Sequence, residues 1–385
     1  AKIPKGNPTN PKHVSRVPVP PIRTLSLFTE ICDGVAPGCS GCCLSAHFDG
    51  PNTSHFGSER SSKYCFRTPR DALPLFANTA SRCPSQCCDI MMSGMVLPVG
   101  SIVALATPMR ENGEVDILTL RELLRWHKAE GTGGVVILGT TGEASCLSIE
   151  EKEEVMAATR EEVGGVLPII VGTGTISTPS TIAATKQAKL FGADAALVVT
   201  PYYVKPSQDG LQQHFMQIAD AVDLPIVLYN VPGRTGVDMS VETTVALSRH
   251  PMIVGLKDAT GDNTRVGPMR AVCGDDFRLY SGEDAMAREY VLQGGDGVIS
   301  VTANVAPAAV SRVMAAAAAR DVSGAEAADL PLKGLHRDLF CEANPIPVKW
   351  ALAKMGRTPG GIRSPLSPLG VKFHERVEGA LLQAS

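Results

Sequence analysis

Residues 252–260 read Met-Ile-Val-Gly-Leu-Lys-Asp-Ala-Thr, an apolar, β-branched run with one lysine near its end. Such a run fits a strand covered on both faces, as in a parallel sheet. With a side-chain period of two, Ile253, Gly255 and Lys257 share one face, and Val254, Leu256 and Asp258 share the other. Gly255, one pleat below Lys257, leaves room for the lysine stem. A lysine is rarely buried without a reason. Two readings of Lys257 stand side by side: a desolvated amine, partly neutral near pH 7 and able to attack a carbonyl carbon, or a strand-end lysine that reaches solvent or pairs with a carboxylate. Its surroundings decide between them.

Seven runs of the same kind flank it. They start near Ser101 (SIVALATP), Gly134 (GVVILGTTG), Leu167 (LPIIVGTG), Ala195 (AALVVTPYY) and Leu224 (LPIVLYNVP), then near Phe277 (FRLYSGED) and Gly295 (GDGVISVTAN). Helical signals lie between them. Leu120, Leu123, Leu124 and His127 recur at helical spacing, with Asp116 as N-cap and Gly131 as stop. Ser148 with Glu151 makes a capping box, Thr178-Pro179 and Ser240 open later helices, and Ala315 to Ala319 has high helix propensity. Eight strands alternating with helices over about 220 residues give an α/β chain closed into a (β/α)8 TIM barrel. A doubly wound open sheet is the alternative, but the Gly-rich dinucleotide turn it favours after its first strand is missing.

The 385 residues are 44% hydrophobic and 19% charged, enough apolar content for a large core. A net charge of −3 gives no footprint for nucleic acid, and no run of 18 apolar residues suggests a membrane span. Residues 1–94 differ from the rest. They are rich in Pro, Ser and Gly, mildly basic, and lack sustained periodicity. They read as a disordered, removable targeting extension of plastid type, which puts the protein in the chloroplast stroma, or in the cytoplasm if no targeting occurs. Eight of the 11 cysteines fall here. Cys39-x-x-Cys42-Cys43 with Cys83-x-x-x-Cys87-Cys88 offers a zinc reading, against which stand the wide spacing and the missing His pair. A third reading, that the stretch is no part of the native protein, rests on Ala1 and on Met91, Met92 and Met95 just ahead of the folded part. The catalytic barrel is assigned to 95–321. Residues 322–385, helical in pattern with breaks at Pro345, Pro347, Pro359, Pro365 and Pro368, form a helical appendage. The sparse Cys146, Cys273 and Cys341 suit a reducing compartment.

In such a barrel the chemistry sits at the C-terminal ends of the strands. There the sequence places Gly139-Thr140-Thr141-Gly142-Glu143 after strand two, Pro201-Tyr202-Tyr203 after strand four, Tyr229 through Arg234 at strand five, and Lys257 on strand six. Small residues in the strand-two turn let backbone N–H groups approach an anion. Tyr229 can donate and accept protons, and Arg234 can fork onto a carboxylate. Each has a dull alternative: a turn, core tyrosines, a solvated arginine. Converging on one mouth, they turn the reading of Lys257 towards a nucleophile. No HExxH, Walker loop, serine elbow or metal-ligand cluster competes, so neither a cofactor nor a metal is expected.

GTTGE at 139–143, TPYY at 200–203, YNVPGRTG at 229–236, GLKDATG at 255–261, GVISVTAN at 297–304 and NPIPVKW at 344–350 closely resemble the dihydrodipicolinate synthase family, also called the 4-hydroxy-tetrahydrodipicolinate synthases. The resemblance runs from about Leu97 to near Val377. It implies a lyase that condenses pyruvate with L-aspartate 4-semialdehyde through a lysine Schiff base, on the diaminopimelate route to lysine. By the same resemblance Lys257 forms the imine, Tyr229 is the general acid/base, and Thr140 with Tyr203 relays its protons. Tyr203 then reaches a neighbouring subunit across a tight dimer interface within a homotetramer. Thr141 meets the pyruvate carboxylate, Arg234 holds the semialdehyde carboxylate, and Ile299 lines the pocket. N-acetylneuraminate lyase and keto-deoxy-sugar aldolases share the lysine, the first tyrosine and the GTTGE-like turn, and are the alternative. Arg234, Tyr202-Tyr203 and NPIPVKW favour the synthase.

The departures from the family carry information too. Many members are inhibited by lysine through an Asn and a Glu after the strand-three GTG, positions held here by Ile176 and Ser180. Ile149 and Lys152 stand where some bacterial members have histidines, while Tyr202 remains. Without the carboxylate a bound lysine ammonium lacks its partner, at a cost of a few kcal/mol, and feedback inhibition is expected to be weak.

Overall fold

The computed structural model describes residues 97–384. The eight runs become eight parallel strands: β1 Gly100–Ala104, β2 Gly134–Ile137, β3 Ile169–Gly172, β4 Ala195–Val199, β5 Ile226–Asn230, β6 Ile253–Asp258, β7 Arg278–Ser281 and β8 Gly297–Ser300. Each pairs with the next, and β8 pairs with β1, so the sheet closes into the expected barrel. Closure depends on a small residue. A Cβ at Gly297 would collide with the Gly100 backbone at the β8–β1 seam. The expectations for residues 1–94, the targeting extension and the cysteine zinc site, lie outside the described residues.

Seven helices connect the strands on the outside, α1 Ile117–Ala129, α2 Ile149–Val163, α3 Thr178–Leu190, α4 Gln208–Ala221, α5 Val241–Leu247, α6 Val266–Cys273 and α7 Ala287–Leu292, with one further helical turn at Pro232–Thr235 ahead of α5; α8 Pro307–Ala318 follows β8. Their starts follow the local chemistry. The Asp116 side chain accepts from the Thr119 N–H, Ser148 and Glu151 complete both halves of the capping box, and Ser240 caps the Thr243 N–H. In α1, the periodic Leu120, Leu123, Leu124 and His127 are the buried face. Four more helices follow: α9 Val322–Asp329, α10 Lys333–Asp338, α11 Ile346–Lys354 and α12 His374–Ala384. Pro347 falls within the first turn of α11, where its missing N–H costs nothing; Pro359, Pro365 and Pro368 lie between α11 and α12.

Alternation along the strands sorts two cores. Ile102, Ala104, Val136, Ile170, Leu197, Val227, Tyr229, Tyr280 and Ile299 fill the barrel interior, while the opposite faces pack under the helices. The strict alternation expected for β6 fails at its start. Ile253 packs on the helix side and Val254 against the interior, because Ile226 pairs with Ile253 but Val227 with Gly255, leaving Val254 as an extra bulged residue. From Gly255 onward the expected faces return. The role expected of Gly255 also changes: a Cβ there would lie 2.7 Å from the Arg278 carbonyl oxygen, so the glycine admits the β7 backbone rather than the lysine stem.

Candidate active site

The β5–β6 register sets Tyr229 directly beside Lys257. Both point into the upper end of the barrel, and the lysine is 6% exposed. Its Nζ lies 4.5 Å from the centroid of the Tyr229 ring. The neighbouring Asp258 points outward and is taken by Arg265 at 2.9 Å. Asp284, after β7, is occupied as well: it accepts from the Ser300 hydroxyl and from the N–H groups of Val301 (2.9 Å) and Thr302 (3.1 Å). Among the described residues no carboxylate forms an ion pair with Lys257. Burial therefore dominates and lowers its pKa to about 8, with Asp284 and Glu283 opposing from a distance and Arg234 adding to the fall.

A cavity opens above this pair. Thr140 and Thr141 border it from the turn after β2, Arg234 from the turn after β5, Glu283 from beyond β7, and Asn344 from the C-terminal helical region. Burial pushes the Tyr229 phenol up to about 12, against the pull of Arg234 and of a hydrogen bond with the Thr140 hydroxyl; Glu283 raises it further. A phenol of that kind stays protonated until a base takes its proton, which suits a group that passes protons rather than one that stores charge. Glu283 is itself raised, first by burial and then by Asp284, with Lys257 and Arg234 opposing.

The turn after β2 has an unusual backbone. Leu138 (φ 54°) and Glu143 (φ 52°) both lie in the left-handed region and bracket Gly139 to Gly142. The N–H groups of Gly142 and Glu143 turn back on the carbonyls of Gly139 and Thr140. Those of Thr140 and Thr141 take no part in that ladder, at the edge of the cavity. Thr141 Oγ1 accepts from Asn344 Nδ2 at 3.0 Å, and Arg234 Nη2 donates to the Asn344 carbonyl at 3.1 Å. Asn344 thus ties together two cationic or hydroxyl-bearing edges of the cavity, a pairing suited to substrates that bring carboxylates.

Lys257, Tyr229, Thr140, Thr141 and Arg234 therefore meet at one cavity. Tyr203 does not join them within the chain. It is 86% exposed, held at φ 71°, with its N–H on the Thr235 carbonyl. Ile299 lies in the barrel interior, and the β8-end residue that borders the cavity is Val301. Sequence reasoning passed over Glu283, Asp284, Phe340 and Asn344. The first two stand at the end of β7, where the rule that located Lys257 also applies. Phe340 and Asn344 come from outside the eight repeats, where the strand-end rule does not reach, although Asn344 opens the NPIPVKW run. Among the described residues no group of three or more His, Cys, Asp or Glu is placed to hold a metal ion, and no helix is long and apolar enough to cross a membrane.

The profile of the dihydrodipicolinate synthetase family matches residues 97–384. A 4-hydroxy-tetrahydrodipicolinate synthase of Azoarcus sp. is 51% identical over 285 residues, 74% of this chain and 98% of that one. Another, from Alcanivorax borkumensis, is 52% identical over 284 residues, 74% of this chain and 97% of the other. The crystal structure of chloride-inhibited dihydrodipicolinate synthase from Acinetobacter baumannii in complex with pyruvate superposes with a TM-score of 0.74 at 51% identity, covering 75% of this chain and 99% of that one.

Proposed function

This chain belongs to the dihydrodipicolinate synthetase family, and we propose that it is a 4-hydroxy-tetrahydrodipicolinate synthase acting on pyruvate and L-aspartate 4-semialdehyde. The observation that carries the reading is the unpaired, buried Lys257 amine against the Tyr229 ring, at a cavity edged by Thr140, Thr141 and Arg234. Neutral Lys257 attacks the pyruvate ketone, and loss of water gives a protonated imine. That imine is an electron sink, so a methyl proton leaves to form an enamine whose carbon attacks the aldehyde. Tyr229 moves the protons at these steps, with Thr140 as its first relay. Thr141 and the free N–H groups of its turn take the pyruvate carboxylate, and Arg234 the carboxylate of the semialdehyde. Ile299 supports the pocket from the interior layer beneath it.

The same reading gives Tyr203 a place. Its exposed side chain, fixed by a left-handed backbone, serves as the second relay at the mouth of a neighbouring copy, in a homotetramer built as a dimer of dimers. Residues 95–321 act as the catalytic barrel, 322–385 as a helical region that also edges the site, and 1–94 as a plastid-type targeting extension. Incubation with pyruvate and L-aspartate 4-semialdehyde should yield the heterocyclic product, with no cleavage of sialic acid. Cleavage of sialic acid without condensation would replace the synthase by the lyase.

A further inference from the structure

Among the described residues two lysines are buried, and the chemistry above uses only Lys257. The other, Lys349 on α11, is 3% exposed and pairs through Nζ with Glu143 Oε1, in a side chain fully covered. Glu143 Oε2 accepts the Arg363 backbone N–H at 3.1 Å. The Arg363 side chain then spans two loops. It donates to the carbonyls of Gly113 and Cys146, each at 2.8 Å, and to Glu151 Oε2 at 2.7 Å.

A wholly buried ion pair is a poor source of stability, because desolvation offsets the attraction and an apolar pair of similar volume often does as well. What it supplies is registration. The segment it registers is the turn after β2: Glu143 closes that turn at an unfavoured φ of 52°, and Thr140 and Thr141 lie just ahead of it between Gly139 and Gly142. The same C-terminal region holds Thr141 through Asn344.

We propose that Lys349 is a positioning residue, which through Glu143 fixes the Gly139–Gly142 turn so that Thr140 and Thr141 meet the keto-acid carboxylate and the Tyr229 hydroxyl. This rests on the pyruvate reading above. It is tested with full-length Lys349→Met, Lys349→Arg and the double variant Glu143→Gln with Lys349→Met. In the double variant no charge is stranded, and the glutamine still offers an acceptor to the Arg363 N–H.

Lys349→Met should raise the pyruvate KM about tenfold or more, because small misplacements of binding groups weigh heavily. The KM for the semialdehyde and the pH at which Lys257 becomes trappable by borohydride should stay near wild type. Lys349→Arg should recover part of the loss. The double variant should melt closer to wild type than Lys349→Met yet keep the raised pyruvate KM, a split that a purely structural strut does not produce. A wild-type pyruvate KM in a folded Lys349→Met or double variant overturns the proposal. Failure of both to fold also overturns it, since the pair is then structural alone. Wild-type protein run alongside separates the two ideas: if it is not trapped with pyruvate, the pyruvate reading itself fails and the proposal falls with it.

Discussion

Two lysines among the described residues are taken out of water, and their environments are opposite. Lys257 lies near the end of β6 beneath a cavity, with a tyrosine ring against its amine and the carboxylates of Asp258 and Asp284 committed elsewhere. Lys349 lies in a helix of the C-terminal region with a carboxylate on its ammonium, outside the lining of that cavity. Burial lowers the pKa of both, but at Lys349 the Glu143 carboxylate works against the fall at bonding distance. Burial alone does not make a nucleophile. Burial without a partner, at an opening, does; burial with a partner makes a strut.

The sharpest way to break the contrast is to remove each amine. Lys257→Ala should abolish turnover, by on the order of 10⁴-fold or more in kcat, while far-ultraviolet circular dichroism stays native. Retained turnover would move the nucleophile elsewhere. Tyr229→Phe should cost about 10²- to 10⁴-fold in kcat, the usual share of a general acid/base, measured in the same assay. An unchanged rate would strip Tyr229 of its proton-transfer role.

Stability should run the other way. Lys349→Met strands a buried carboxylate and should destabilise by about 3–5 kcal/mol in chemical denaturation. Lys257→Met should stabilise at neutral pH. The folded pKa of Lys257, about 8, lies below the ordinary 10.5, so the folded state binds fewer protons between these values. Its penalty is full below pH 8 and fades as pH rises towards 10.5, which puts the stabilising effect of the substitution near 3 kcal/mol, about 1.36 kcal/mol per pKa unit, at pH 7. Equal effects of the two substitutions would erase the distinction. In catalysis the same titration should make pyruvate imine formation rise about tenfold from pH 6 to 7 and level off above pH 8. A flat profile over that range would mean that the free amine is not what reacts.

The smallest expected effect concerns regulation. Ile176 and Ser180 are exposed and offer no carboxylate to a lysine ammonium. Micromolar L-lysine should leave the steady-state rate within about twofold of the uninhibited value, since a lost partner charge of a few kcal/mol removes most of the affinity. Strong inhibition would show that another group takes the place of that carboxylate.

Much of this arrangement is legible in the chain. The strand period and the caps at Asp116, Ser148 and Ser240 suffice for the barrel, and the strand-end rule brings Lys257, Tyr229, Thr140, Thr141 and Arg234 to one opening. What escapes has physical causes. The bulge at Val254 depends on how β5 and β6 pair, which one strand's sequence does not encode. The tight approach at Gly255 is set by its neighbour β7. Asn344 reaches Thr141 across 203 residues, and Lys349 reaches Glu143 across 206. Asn344 and Lys349 both stand in the NPIPVKW run, but their partners follow from where the final helices pack, which no local pattern announces.

The contrast between the two lysines comes down to one measurement: borohydride reduction in the presence of pyruvate, followed by digestion and peptide mass analysis of the full-length protein. The modified peptide should carry a reduced pyruvate adduct on Lys257, with Lys349 untouched. An adduct on Lys349, on another lysine, or on none would contradict the assignment of Lys257 as the Schiff-base nucleophile.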